Sequence, residues 1–170
     1  MKALTIWQPW ASLIIIGAKP FEFRGWRPPA KQIDEQIVIH AASRKPDWRE
    51  MHQLVRLLEA GGRYAARTCL KPDVALPFLR LALVNPGLPG LMPLAAGLGT
   101  ARLGQPRNGI EIAEEFGVPR ANDSERDQHA NWGWPMREID RWAEPISMRG
   151  AQGLWNWPDA ITFMETINGN

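Results

Sequence analysis

The hydrophobic pattern divides this chain into short pieces. Lys2 to Trp7 reads as a first strand, and Trp10 to Ile16 is almost continuously apolar, which predicts a helix buried on most sides. Pro9 suits the first turn of that helix, and Gly17 suits a left-handed stop. Pro20 to Trp26 reads as a strand that sends Glu22, Arg24 and Trp26 to one face and Phe21 and Phe23 to the other. Arg27-Pro28-Pro29 ends it, because a second proline forbids further pairing. Ile33 to Ala42 holds a β-branched strand centred on Gln36-Ile37-Val38-Ile39-His40. Pro46 to Ala60 then places Trp48, Met51, Val55 and Leu58 on one helical stripe, with Asp47 and Glu50 in the first turn and Gly61-Gly62 as the stop.

From Arg63 to Pro93 prolines cut the pattern, and the spacing predicts a short apolar helix over Asp73 to Val84. Leu94 to Gly104 reads as a strand in which Gly97 and Gly99 mark a bend or a close backbone approach. Ile110 to Phe116 predicts one or two helical turns, and Val118 to Asn131 a polar surface loop. Trp134 to Trp142 and Gly153 to Trp157 read as closing strands, with a helical turn after Pro158. Short strands, few helices and frequent turns predict an α+β fold: a small, partly closed β-barrel with short helices at its rim.

Composition narrows the class without naming a function. The 170 residues suffice for one domain with a real core. A formal charge of +2 permits a polyanionic partner without demanding one. Arginine outnumbers lysine by 15 to 5, which suits phosphate and base contacts but equally follows from a GC-rich genome. Cys69 is alone, so no intrachain disulfide forms and a cytoplasmic location is expected. No apolar run is long enough to span a bilayer. His40, His52 and His129 are far apart and no Cys/His spacing suggests zinc, so no metal or cofactor is implied.

The candidate chemistry lies in one row. Lys19 is either a phosphate contact, or an activated base if desolvated, or a solvated lysine at a helix end. Glu22 and Arg24 are strand neighbours on one face. They either engage a ligand, with Arg24 on a phosphate or base edge and Glu22 as acceptor or acid/base, or form a structural ion pair. Trp26, Trp7 and Trp10 are candidates for stacking or for core packing; Trp10 fits the core, and Trp26 is the better ligand candidate. His40 is a cleft donor or a hydrogen-bonded core histidine, and Ser43 an anion contact or a local cap. Gln152 reads a base edge or satisfies a turn.

Gly17, Lys19, Glu22 and Arg24 reproduce the Gly-x-Lys-x-x-Glu-x-Arg pattern of the ASCH domain family, in the PUA-like β-barrel group, and Gln8-Pro9-Trp10-Ala11 precedes it as in that family. Ile37 to Ala42, Gly99 to Leu103 and Gly150 to Trp155 resemble further family segments in family order. The resemblance covers residues 1–170 as a single domain, with insertions near 63–92 and 108–131. It implies a cleft for RNA or a nucleotide-like ligand, and the residues read above as its candidate lining are Lys19, Glu22, Arg24, Trp26, His40, Ser43 and Gln152. The alternative it implies is a small hydrolase with Lys19 and Glu22 as catalytic residues. One such branch removes acyl groups from modified cytidine and another cuts single-stranded RNA. In the acyl-removing branch a Thr follows the Lys by three residues; here that place holds Glu22. The apolar 72–92 segment is a candidate surface for a protein partner, and no membrane role is expected.

Overall fold

The computed structural model of the chain describes residues 1–119 and 132–158. Most of the expected 118–131 loop, His129 and the turn expected after Pro158 therefore lie outside the described residues. The architecture is α+β, as the pattern predicts: a curled half-barrel sheet with several short helices.

The strands are β1 (Lys2–Ile6), β2 (Phe21–Arg24), β3 (Gln36–Ala41), β4 (Ala96–Leu103), β5 (Arg107–Asn108), β6 (Trp132–Ser147) and β7 (Leu154–Asn156). They pair in the order β2-β6-β4-β3-β1-β7, with β5 added to β6. β1 and β3 are parallel, which sets Thr5 beside His40. β7 lies antiparallel to β1, and its register stops at Leu4. The strand expected from Pro20 to Trp26 is shorter than its pattern, so Trp26 falls beyond the ladder and strand alternation does not set its direction.

β6 is longer than the pattern indicates. Pro135, Pro145 and a left-handed Glu138 (φ 43°) interrupt its alternation. Shifts of register against β4, between Gly97/Gly99 and between Thr100/Arg102, absorb those irregularities. Gly99 is needed there for close approach: a methyl group would collide with the Asp140 carbonyl and press on Ile15.

Helix α1 (Trp10–Ile15) is buried along its whole length and touches β1, β3, β4 and β6, so it fills the curl of the sheet. Gly17 ends it with φ 75°, its N–H donating to the Ile14 carbonyl. α2 (Trp48–Ala60) starts at Asp47, whose carboxylate accepts from the Arg49 N–H at 2.9 Å. Leu54 joins Met51, Val55 and Leu58 on its buried face. The 63–92 segment holds most of α3 (Gly62–Arg67) and all of α4 (Pro72–Val84), the latter continuing through Pro77. Ala75, Leu79 and Ala82 of α4 are buried, whereas Leu81, Val84 and Leu88 are exposed. α5 (Gly109–Glu115) packs Ile112 and Ala113 with Phe23, Cys69 and Val118 in a second, smaller core. No helix among the described residues is long and apolar enough to cross a membrane.

Candidate functional site

Gly17 turns the chain out of α1 so that Lys19 passes back under the helix before β2 begins. The Ala18 and Lys19 N–H groups both donate to the Leu13 carbonyl, which fixes that turn. Lys19 is only 1% exposed. Its Nζ donates to the Phe21 carbonyl at 2.5 Å and lies 3.2 Å from Glu22 Oε2. The Trp10 and Phe23 rings flank the ammonium at 5.5 and 5.4 Å from their centroids. A buried lysine survives here because a carboxylate, a carbonyl and two π faces replace its water.

The second carboxylate oxygen of Glu22 faces outward along the row. Glu22 Oε1 accepts from Arg24 Nη2 at 2.9 Å. The same Nη2 reaches the Thr5 carbonyl at 3.2 Å, tying β2, one end of the sheet, to β1 beyond the last β7 pair. Arg24 Nε is buried and has no hydrogen-bond partner among the described residues. The order is therefore graded: Lys19 deep, Glu22 beneath the surface, and Arg24 reaching it at 22% exposure. The strand does set Glu22 and Arg24 side by side, and they form the expected ion pair, with its outer member partly exposed.

Trp26 is 40% exposed and meets the buried Trp134 edge to face at 4.7 Å. Trp134 Nε1 donates to the Trp26 carbonyl, so the bend after β2 is held in place. Arg27 stacks on Trp132, the cross-strand partner of Arg24, with Cζ at 4.6 Å from the ring centroid. On the other side of Arg24, past Thr5, Trp7 is exposed and carries the Arg44 guanidinium at 4.1 Å. Sequence reading picked out neither arginine–indole pair. Each pair joins residues distant in sequence, so no local spacing announces it.

His40 is fully buried, beside Thr5. Its Nε2 donates to the Met148 carbonyl at 2.9 Å, which leaves Nδ1 to accept from Thr5 Oγ1 at 3.3 Å. Trp155 Nε1 in turn donates to Thr5 Oγ1 at 3.0 Å. Burial holds the imidazole pKa below its ordinary value, against an opposing push from the Met148 hydrogen bond. Gly150 lies flat on His40 and Thr5, where a methyl group would overlap both. His40 thus clamps the segment before β7 onto β1 and β3, which corresponds to the core-histidine alternative. Ser43 and Gln152 are both exposed, Ser43 just beyond β3 and Gln152 just before β7, and neither touches the charged row through a hydrogen bond among the described residues. Thr5 is the residue sequence reading missed: its carbonyl holds Arg24 and its hydroxyl holds His40.

Among the described residues no cluster of His, Cys, Asp and Glu has the makings of a metal site. The ASCH domain family model matches residues 4–74, the stretch containing β1, α1, β2 and the Lys19–Glu22–Arg24 row. No curated protein matches the sequence. The structure of ASCH from Zymomonas mobilis is similar to the chain with a TM-score of 0.51 at 14% identity, covering 98% of this chain and 92% of that one. A serine-to-alanine mutant of the same Zymomonas mobilis protein is similar with a TM-score of 0.50, also at 14% identity, over 98% of this chain and 93% of that one. At that identity the likeness establishes the fold. Motif, family model and fold coincide on the same strands: residues 4–74 match the ASCH domain family, and the fold as a whole is that of the ASCH structures.

Proposed function

We propose that this ASCH module binds single-stranded RNA across the surface that runs from Arg27 and Trp132 through Trp26, Arg24 and Thr5 to Trp7 and Arg44. The observation that carries the reading is the pairing of guanidinium groups with indoles on both sides of Arg24, Trp7 exposed and Trp132 half-buried. An arginine lying on an indole is pre-oriented to meet a phosphate while the ring offers a face to a base. Arg24, held by Glu22 and Thr5, supplies a fixed cation between the two platforms. The buried Lys19–Glu22 pair is the foundation that fixes Arg24.

Fluorescence anisotropy with a labelled single-stranded RNA tests this. Arg24→Ala and Trp7→Ala should each weaken binding, the latter by about 1–3 kcal/mol if Trp7 stacks a base. Unchanged affinity in both variants would overturn the assignment.

The hydrolase alternative has one observation in its favour: Lys19 and Glu22 form a desolvated Lys–Glu pair of the kind that can support acid–base chemistry. Against it, that ammonium is committed to Phe21 and Glu22, and Glu22 occupies the position of the Thr. Incubation with acylated cytidines and with labelled single-stranded RNA decides it. Turnover lost in Lys19→Ala would favour catalysis; absence of turnover in the native protein leaves the binding module.

A further inference from the structure

A hollow lies on the other side of α1, away from the charged row. Ser12, Ile15 and Ile16 share the helix face that looks into it, while Trp10 and Leu13 belong to the face turned towards Lys19. The cleft has a volume of about 170 Å³. Its floor is buried and nearly all apolar, formed by Ile15 and Leu98 with the Ser12 hydroxyl between the chain segments. Phe78 of α4, Leu91 and the Trp142 indole form its half-buried walls.

The loop wall is held in place by named bonds. Gln8 Nε2 donates to the Pro93 carbonyl at 2.8 Å, and Ser12 Oγ donates to the Leu91 carbonyl at 3.4 Å. The Ser12 N–H donates back to Gln8 Oε1, so Gln8 is fixed by α1 and fixes the loop. The opposite wall is equally constrained, because Trp142 rests on Gly97 and on Trp157, 5.7 Å away between ring centroids. The hollow is thus preformed.

One charged side chain lines it. Arg141 is exposed at the rim, and its side chain forms no ion pair or hydrogen bond among the described residues. Its acidic chain neighbours Asp140 and Glu144 do not line the cleft. An apolar slot with an indole wall and a single uncompensated guanidinium at its mouth selects a ligand with the complementary pattern. We propose that this cleft binds a small carboxylic acid with a flat apolar body, the ring or chain lying against Trp142, Phe78 and Leu98 and the carboxylate meeting Arg141 as a bidentate partner. A cleft of this size suits a phenylacetate- or indole-acetate-sized molecule. The site is independent of the proposed RNA surface.

Isothermal titration of the full chain with phenylacetate and indole-3-acetate, beside phenylacetamide and indole-3-acetamide, tests the assignment. The amides keep the shape and remove the charge. The expected result is saturable binding of an acid with its amide at least tenfold weaker. Arg141→Ala should abolish that preference, and Arg141→Lys should retain part of it. Arg141 is exposed, so these variants keep the fold, which the melting temperature verifies. Binding of neither acid, equal binding of acid and amide, or a preference that survives Arg141→Ala would each overturn the proposal.

Discussion

Glu22 divides its carboxylate between two cations, one fully buried and one at the surface, and this sets what substitutions in the row can do. Removing it strands Lys19 in the core beside Trp10 and Phe23. Breaking a buried pair from one side typically costs about 3–5 kcal/mol, so Glu22→Ala should lower stability by that order in a urea titration. Arg24→Ala, by contrast, removes a partly exposed group and should affect RNA binding far more than the melting temperature. His40 supplies a pH test at the same scale. Its native pKa is lowered by burial, so the unfolded chain binds the proton more readily. The contribution is fully present above the unfolded value, about 6.5, and is lost as pH falls below it. The melting temperature should therefore drop between pH 7.5 and 5.5, and His40→Gln should flatten that drop. A histidine variant with the same pH slope as the parent would contradict the assigned clamp.

Among the elements, those written in short-range pattern were the legible ones. α1 with its Gly17 stop, β3, α2 and the span of α4 follow from spacing, whereas the cap at Asp47 and the unbroken passage of α4 through Pro77 do not. The glycine signals in β4 also had their physical cause, since Gly97 and Gly99 each face a neighbour too close for a side chain. What spacing concealed was long-range. β6 runs to Ser147 despite two prolines because β4 shifts register to meet it. Trp26 left the strand because the ladder ends at Arg24. Lys19, Glu22 and Arg24 were visible as a row, but the depth gradient along it depends on α1 and β1 covering one end. Thr5 carried no local signal at all. The element-scale prediction concerns the segment clamped by His40: Gly150→Val should clash with His40 and Thr5 and destabilise by about 1–3 kcal/mol, whereas the same change at Gly153, where no atom is near but φ is 67°, should act only through backbone strain. Thermal denaturation of the two variants together with their near-ultraviolet tryptophan signal distinguishes the cases, because only Gly150→Val should disturb the Trp155–His40 contact.

For the whole molecule, the curled sheet brings its two ends near one another at Arg24, and the arginine–indole pairs lie on either side of that seam. The net charge of +2 gives little bulk attraction for a polyanion, so on the proposed reading affinity for RNA comes from these placed cations. Association should then follow counterion release, with the logarithm of the binding constant falling linearly with the logarithm of salt concentration. The most direct measurement is that slope for single-stranded RNA, compared between the native protein and Arg24→Ala, Arg27→Ala and Arg44→Ala. The account predicts a steep fall with salt in the native protein and a slope shallower by about one in each variant. A flat response, or a steep one that none of the three substitutions reduces, would contradict it.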